Sequence, residues 1–357
     1  MSSEKDHIRV LSQLVLAPEK ADQALAYVSS LSEGEREELL SLADSHHVTM
    51  RALSVLHETA QHNGDERMAY WSSRVIENET SRITNALVHL SKIVRELEAN
   101  GAPVVVMKSL DHWPDLGNDL DLYSTASESK IVEIFTKHLR AEVEARSWGD
   151  RLAQKWNFKI PGLRESVEVH VQRLGQTGEH TAMAQRFVTR RVNRQLMGYI
   201  FPVPAPEERI IVATLQRMYR HFYFRICDIV NSGGLVEDGV INYRQLEEAA
   251  NLGGIWPGVC TYLKIVSDYI AEYRGAGLAL PAKVVANAVC GGKVVEPKNR
   301  FLRVPIMPQG ASLYTKQVRQ TALQGQVGAT LRLSLLPPLA SVAALAYRVT
   351  GSDKGIW

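Results

Sequence analysis

Apolar residues in the first hundred positions recur at the spacing of an amphipathic helix. The clearest stripe repeats every three, four or seven positions and comprises Ile76, Ile83, Leu87, Leu90, Val94 and Leu97. Such spacing places all of them on one helical face, and Asn100-Gly101 is a typical helix end. Earlier, Ser32 and Glu35 have the spacing of a capping box. The pattern predicts a helical N-terminal region over 1–100.

The period changes after Gly101. The continuous apolar run Pro103–Met107 predicts a buried strand. Asp119 to Leu122 alternates polar and apolar residues, which predicts a second strand. The same reasoning predicts a helix over 127–146 and strands over 156–160 and 166–172. In the last of these, three valines occupy one face while Glu168 and His170 occupy the other.

From position 206 the pattern is helical again. Pro206-Glu207-Glu208 suits a first helical turn, because proline fits there and acids favour the positive end of the helix dipole. Helices are expected as far as about Gly275, then loop with short strands, then a helical tail from Ser312 that breaks at Pro337-Pro338. The chain is expected to be α+β, with a small mixed sheet between helical N-terminal and C-terminal parts. The expected divisions are 1–100, 101–204, 205–277 and 278–357.

Composition narrows the class of protein. An apolar content of 45% excludes wholesale disorder, and a net charge of +2 gives no strong nucleic-acid signal. Positions 278–357, however, hold ten Lys/Arg against two Asp/Glu. Along the apolar helix expected there lie Lys316, Arg319 and Arg332. This basic C-terminal tail suits either peripheral contact with an anionic surface or packing on the rest of the protein.

Cysteines and termini bear on the compartment. The three cysteines are far apart and lack a CxxC spacing, so neither a disulfide framework nor a zinc site is expected. The first ten residues are polar and charged, which argues against a signal peptide. The apolar stretch 331–347 is interrupted and too short for a transmembrane segment. A cytoplasmic protein is expected.

Candidate chemistry centres on Asp119-Leu120-Asp121. On a strand the two carboxylates point to the same face and repel each other unless a cation neutralises them. Mg²⁺, or Mn²⁺ in its place, takes oxygen ligands and retains positions for substrate phosphates. Glu168 on a later strand offers a third carboxylate, as metal ligand or as general base. The alternative is that all three are ordinary polar residues of strands.

A buried strand ends at Lys108-Ser109, and nine residues separate Ser109 from Asp119. Lys108-Ser109 followed by Asp119-Leu-Asp121 resembles the Gly-Ser and Asp-x-Asp signature of the DNA polymerase beta-type nucleotidyltransferase superfamily. With Glu168-Val-His170 and Arg225-Ile-Cys-Asp228, the chain is more closely similar to the bacterial uncharacterised nucleotidyltransferase family, over about 43–263.

The resemblance implies a nucleotidyltransferase-type sheet and transfer of an NMP from an NTP to a small-molecule or protein acceptor. It implies that Asp119, Asp121 and Glu168 bind the metal and that Lys108 and Ser109 cradle the phosphates. Ser109 stands where the close family has glycine, and the loop before Asp119 is shorter. These departures leave a second hypothesis open, a catalytically weak nucleotide-binding or interaction module in a biosynthetic system.

Other polar residues are weighed as cleft candidates. Arg217 and His221 on the first long C-terminal helix could line the cleft, and His170 is more typical of a structural histidine. Arg225 and Asp228, three apart, favour a salt bridge that holds the helical half. His46-His47 lacks metal-ligand spacing and is expected at the surface. A glycosyltransferase using Asp119-x-Asp121 is disfavoured, because the upstream residues are helical.

Overall fold

The computed structural model describes residues 3–350, and within them the side chains of all but 306, 340, 341 and 343–350. The predicted capping box is present, since Ser32 and Glu35 exchange side-chain-to-backbone hydrogen bonds. The predicted apolar stripe lies on one long helix that ends at Ala99, two residues before Gly101, where φ is +66°. The helices of this part are α1 (Glu4–Leu16), α2 (Ala21–Ser30), α3 (Glu33–Ser45), α4 (Thr49–His62) and α5 (Glu66–Ala99).

A small mixed sheet follows, which confirms the α+β prediction. Among the described residues it has five strands in the order β1-β2-β5-β4-β3. Strands β2 and β5 are parallel neighbours, and the other pairs are antiparallel. The strands are β1 (Val104–Val106), β2 (Asp119–Ser124), β3 (Glu142–Val143), β4 (Lys155–Lys159) and β5 (Ser166–Val171).

The two faces of the sheet differ in chemistry. Leu120 and Leu122 on β2 and the valines of β5 are fully buried and pack with the apolar stripe of α5. Because side chains alternate along a strand, Asp121, Glu168 and His170 point to the opposite face. The alternation of β2 and β5 therefore positions one face as core and the other as a polar surface beneath the C-terminal helices.

The predicted helix over 127–146 is wrong in its second half. Helix α6 (Glu128–Glu133) continues as a π-helical turn to His138, and β3 then pairs with β4. Arg140 adopts a φ of +54°, which turns the chain out of the helical path. The following α7 (Trp148–Leu152) connects β3 to β4.

Helices dominate after the sheet, as predicted from position 206. Pro206 is the first residue of α9 (Pro206–Thr214). Glu208 forms an ion pair with Arg186 of α8 (Thr181–Thr189), and Glu207 forms one with Arg190, just after α8. The long α12 ends at Gly275, where φ is +80°. The elements are α8 (Thr181–Thr189), β6 (Val192–Leu196), β7 (Tyr199–Val203), α9 (Pro206–Thr214), α10 (Ile226–Glu237), α11 (Tyr243–Leu252) and α12 (Trp256–Arg274).

The expectation of uninterrupted helix near 223 is wrong. A π-helical turn, Leu215–Arg220, extends α9, and the chain then forms β8 (Tyr223–Phe224). This strand pairs with β10 (Phe301–Arg303), which pairs with β9 (Glu296–Lys298). The partner strand lies far along the sequence, so local periodicity carries no sign of the pairing.

The C-terminal helices break at a different place from the one expected. They are α13 (Ala282–Asn287), α14 (Ala311–Leu323) and α15 (Val327–Thr350). The break falls at Gly325, where φ is +69°, and Pro337 and Pro338 lie inside α15. Both prolines are exposed. Because proline has no N–H, water can donate the hydrogen bonds that the carbonyls one turn earlier would otherwise receive. Within residues 3–350 no helix combines the length and apolar character needed to span a bilayer.

The loop before β2 is tied to the N-terminal helices by Asp115. Its carboxylate accepts hydrogen bonds from the backbone of Met50 (2.6 Å) and Arg51 (3.3 Å), in the first turn of α4. The residue before α4 is Val48, which offers no side-chain cap. Asp115 therefore caps this helix from a distant point in the chain, and it is only 4% exposed.

Replacing this distant cap should destabilise the protein. We expect Asp115→Ala to lower the free energy of unfolding by about 2–4 kcal/mol, because two backbone N–H groups lose their acceptor in a buried place. Urea unfolding followed by circular dichroism measures the change. The exposed Asp238→Ala is the control and should stay within about 0.5 kcal/mol of wild type. Equal stability of Asp115→Ala and the control would show that the cap contributes nothing.

Candidate functional site

The polar face of the sheet brings acidic residues of two strands together. Asp121 and Glu168 are register partners on the parallel strands β2 and β5. His170 lies two residues beyond Glu168, on the same face. One ligand atom from each of these three residues lies within 4.8 Å of the others. The sequence prediction that separate parts of the chain meet here is thus matched by the geometry, with His170 in the tightest group.

Asp119 lies at the rim of the same cavity rather than in that tightest group. It lines the cavity together with Asp121 and Glu168, and it is more exposed than Asp121, which is 2% exposed. The loop residue Gly117 lies close to its carboxylate, since a β-carbon there would be 3.5 Å from Oδ1. The three predicted carboxylates therefore share one cavity, with Asp121 and Glu168 at its floor.

Lys108 and Ser109, which follow β1, contact Asp121 at the floor of the cavity. The Lys108 ammonium lies 2.9 Å from Oδ1 of Asp121. The Ser109 hydroxyl accepts a hydrogen bond from the Asp121 backbone N–H at 2.7 Å and donates to the Asp119 carbonyl at 3.3 Å. Ser109 thus fixes the backbone of β2 at the position of the two aspartates. This contact explains how a serine serves at this position, where the resemblance suggested glycine.

Glu168 is held by two neighbours. Its carboxylate accepts hydrogen bonds from Lys155 of β4 and from Nε2 of His170, each at 2.8 Å. Lys155 also lies 3.1 Å from Asp150. Because Lys155 and His170 are register partners on β4 and β5, the sheet itself places both beside Glu168. The arrangement fixes the orientation of this carboxylate.

Burial and neighbouring charges perturb the pKa values of the floor residues in opposite directions. Burial raises the pKa of Asp121 well above its ordinary value, and the charges of Asp119 and Glu168 add to this. Burial also acts on Glu168, but the hydrogen bond from His170 and the charges of Lys108 and Lys155 hold its pKa well below the usual range. Burial lowers the pKa of His170. Crowded, desolvated carboxylates of this kind favour a bound cation.

The carboxylates open into a cavity of about 230 Å³ whose opposite wall is cationic. The π-helical turn Leu215–Arg220 supplies Gln216, Arg217 and Arg220 to that wall, and Arg225 adds a further guanidinium. With Lys108 and Lys155, five permanent cations face three carboxylates. Arg220 forms no ion pair with a carboxylate in the described part of the chain. The cavity is therefore suited to a polyanion that also carries a metal ion.

Burial lowers the pKa values of the histidines that line the cavity, His47, His112 and the half-buried His221. His221 lines the cavity, as anticipated, and burial with nearby arginines lowers its pKa to about 2. The surface expectation for His46-His47 is wrong. His46 is fully buried and accepts a hydrogen bond from the backbone of Ile226, and His47 lines the cavity. The reason is tertiary, because α3 packs against the start of α10, and no local pattern reveals that contact.

Asp228 has a structural position. Its carboxylate accepts a hydrogen bond from the Arg225 backbone N–H and lies 2.6 Å from Nε of Arg217. The guanidinium of Arg225 instead contacts Nε2 of His47. The ion pair expected within 225–228 is thus formed between Arg217 and Asp228, across two elements. It fixes the arginine-bearing turn above the sheet.

Sequence reasoning missed seven residues of the cavity lining: His47, His112, Gly117, Lys155, Gln216, Arg220 and Tyr223. Of these, Lys155 lies one residue before the predicted strand 156–160, and extending the alternation of that strand by one residue would have placed it on the same face as Asn157. His47 and His112 stack with ring centroids 4.8 Å apart, although they come from distant points in the sequence. Their meeting depends on packing between the N-terminal helices and the sheet.

The donor set fits a divalent ion. Two carboxylates and an imidazole nitrogen lie close enough to share one cation, with Asp119 at the rim. Mg²⁺ prefers oxygen ligands alone, whereas Mn²⁺ also accepts imidazole. If His170 is a ligand together with Asp121 and Glu168, the site suits Mn²⁺. If His170 stays hydrogen-bonded to Glu168, the ligands are carboxylate oxygens alone and the site suits Mg²⁺.

Comparisons with known proteins give little further guidance. No protein-family model and no curated protein matches the chain. Among solved structures, the chain is similar to the crystal structure of an antigenic nucleotidyltransferase-like protein from Paracoccidioides brasiliensis. The two are 15% identical with a TM-score of 0.34, over 56% of this chain and 95% of that one. A similarity of this size supports no conclusion about fold or chemistry, which rest on the geometry above.

Proposed function

We propose that this protein is a metal-dependent nucleotidyltransferase, which moves an NMP from an NTP to an acceptor. The observation that carries the proposal is the pairing of Asp121 with Glu168 on adjacent parallel strands, at the floor of a cavity with a cationic opposite wall. Carboxylates on one side and guanidinium groups on the other match a metal-bound triphosphate. The order of the two motifs along the chain, Lys108-Ser109 before Asp119-Leu-Asp121, resembles the nucleotidyltransferase signature and also supports the proposal.

The metal would be held by Asp121 and Glu168, with Asp119 and His170 completing its surroundings. A bound divalent ion neutralises charge on the phosphates and on the developing leaving group. The chain's own residues prepare the site for it. Ser109 fixes the backbone of β2, and Lys155 with His170 orients Glu168, so the carboxylates need little rearrangement.

The cationic wall would bind the phosphates. Arg220 is the best placed for a new contact, since it lines the cavity and has no carboxylate partner within the described residues. Arg217 and Arg225 add positive charge from positions fixed by Asp228 and His47. Guanidinium groups bind phosphate oxygens in a planar, two-pronged geometry. Lys108, at the floor, lies where it can reach the phosphate next to the metal.

The acceptor's proton would pass to Glu168. An acceptor hydroxyl or amine attacks the α-phosphorus, the bond to the bridging oxygen breaks, and pyrophosphate leaves. Glu168 takes the proton that the nucleophile loses, and His170 holds the carboxylate in position through Nε2. One bond to phosphorus forms and one breaks, so no oxidant or further co-reactant is needed.

One observation favours a second candidate, a module that binds nucleotide without turnover. Lys108 and Lys155 already neutralise Asp121 and Glu168 by direct contact. Such a site binds a polyanion with its lysines and arginines alone, and a metal ion then adds little. The two candidates differ in metal dependence and in whether product forms.

Calorimetric titration of ATP, CTP, GTP and UTP, with Mn²⁺ and with EDTA, tests the proposal. We expect the preferred NTP to bind at least about tenfold more tightly with Mn²⁺ than with EDTA. We also expect mass spectrometry to detect an NMP-modified product. Arg220→Ala should weaken binding about tenfold through loss of a charge-assisted contact. The exposed Arg319→Ala is the matched control and should leave it unchanged. Metal-independent binding without product would favour the second candidate, and absence of NTP binding would contradict both.

A further inference from the structure

An apolar chamber of about 80 Å³ adjoins the cationic cavity. Its apolar lining comes from three parts of the chain: Met107 and Leu174 beside the sheet, Val212 and Leu215 near α9, and Leu333 and Leu336 on α15. Lys108, Gln216 and Arg220 line both spaces and form the boundary between them. The chamber therefore opens at the reacting end of the proposed site.

The Glu168–His170 pair lies along this boundary. Glu168 lines the cationic cavity, whereas His170 lines the apolar chamber. The two are joined by the 2.8 Å hydrogen bond. In the described part of the chain, the buried Nδ1 of His170 has no hydrogen-bond partner. A polar group placed in the chamber would thus meet an unpaired ring nitrogen next to the proposed base.

In-line displacement assigns the two spaces to different groups. The nucleophile and the leaving pyrophosphate must lie on opposite sides of the α-phosphorus. Pyrophosphate is a polyanion and belongs among Arg217, Arg220 and Arg225. The nucleophile then approaches from the side of His170, where the lining is mostly apolar. The chamber also has polar lining residues, among them Gln176, Glu179 and His180, but its exposed lining is more apolar than polar. An acceptor with many polar groups would therefore leave most of them against apolar side chains.

Resting on the proposed function, we propose that the chamber binds the acceptor, and that the acceptor is a compact molecule with an apolar body and one nucleophilic hydroxyl or amine. Its hydroxyl or amine lies at the boundary, where it loses its proton to Glu168 as it bonds to the α-phosphorus and pyrophosphate leaves. Its apolar body packs on Leu174, Val212 and Leu336. The C-terminal helices thereby become part of the substrate site.

Ligand-observed NMR on the full chain with Mg²⁺ tests this. The probes are benzyl alcohol, benzylamine and isoamyl alcohol, with glycerol and glucose as polar comparisons. We expect binding of the apolar probes only, and a loss of about fivefold or more in affinity for Leu336→Trp, which fills the chamber. Leu335→Trp is the matched control on the same helix, since residue 335 is 54% exposed and outside the lining. It should bind like wild type.

A second variant tests the proposal even if Leu336→Trp does not fold. Leu336→Ala enlarges the chamber and should improve binding of the bulkier 4-ethylbenzyl alcohol relative to benzyl alcohol. Absence of apolar binding, preference for the polar probes, or insensitivity to both Leu336 variants would overturn the proposal. If Leu336→Trp weakens NTP binding but not tripolyphosphate binding, the chamber takes the nucleobase and the acceptor assignment is wrong.

Failure of the proposed function has a separate signature. NTP binding depends on the cationic cavity and is measured without any acceptor probe. If the wild-type protein does not bind NTP, the nucleotidyltransferase proposal is rejected, and the probe experiment can still be interpreted by itself. Normal NTP binding and product formation with no apolar probe bound would reject the acceptor class alone.

Discussion

Asp121→Asn should lower the rate of NMP transfer at least about 10³-fold. The substitution keeps the shape of the side chain but removes the charge from the most buried carboxylate of the cavity, which is 2% exposed and pairs in register with Glu168. Metal affinity then depends on the remaining donors, Glu168, Asp119 and His170. The rate is measured as pyrophosphate released from the preferred NTP under saturating Mn²⁺, with benzyl alcohol and glycerol supplied in turn as the acceptor of the NMP.

The matched control is Glu144→Gln. Glu144 accepts a hydrogen bond from Ser166 at 2.9 Å, so this carboxylate contacts the same strand as Glu168 but lies outside the cavity lining. It should retain a rate within about threefold of wild type. Urea unfolding of both variants separates loss of chemistry from loss of fold. A folded Asp121→Asn protein with a near wild-type rate would remove the carboxylate pair from the mechanism.

The elements that carry these residues were predictable from the sequence because their signals are local. Alternation fixed the two faces of β2 and β5, so Asp121 and Glu168 were placed on polar faces before any contact was known. The stripe on α5 and the cap at Ser32 are likewise short-range patterns. The sequence does not show which residue of β5 pairs with Asp121. Only the parallel pairing of β2 and β5 makes Asp121 and Glu168 neighbours.

Other parts of the site depend on contacts between distant segments. His47 reaches the cavity because α3 packs at the start of α10, where the Cys227 N–H donates to the His46 carbonyl at 3.3 Å. No period or motif near His47 reports this contact. The short β8 is similar, since its formation requires β10 from the C-terminal part. The cationic wall was visible only in part, as Arg217 and Arg225, because its geometry arises from a π-helical turn that spacing rules do not anticipate.

The buried pair of Arg217 and Asp228 should have the largest effect on stability. Arg217 is 3% exposed and Asp228 is 6% exposed, with Nε and Oδ2 2.6 Å apart. We expect Arg217→Met to lower the free energy of unfolding by about 3–5 kcal/mol, because it leaves a buried carboxylate without its cation. Urea unfolding measures the loss, and the exposed Arg319→Met should change stability by less than about 0.5 kcal/mol.

The double variant Arg217→Met/Asp228→Asn distinguishes an ion pair from simple loss of packing. If the cost arises from an unpaired charge, neutralising Asp228 as well should recover part of the lost stability, and the coupling energy should exceed about 1 kcal/mol. The Asn side chain can still accept the hydrogen bond from the Arg225 backbone N–H, so the start of α10 keeps its cap. If the stability losses of Arg217→Met and Asp228→Asn instead add up to the loss of the double variant, the pair does not hold the arginine-bearing turn. In that case the orientation of the cationic wall would have to come from its packing on Tyr223, whose ring lies 5.4 Å from the Arg217 guanidinium.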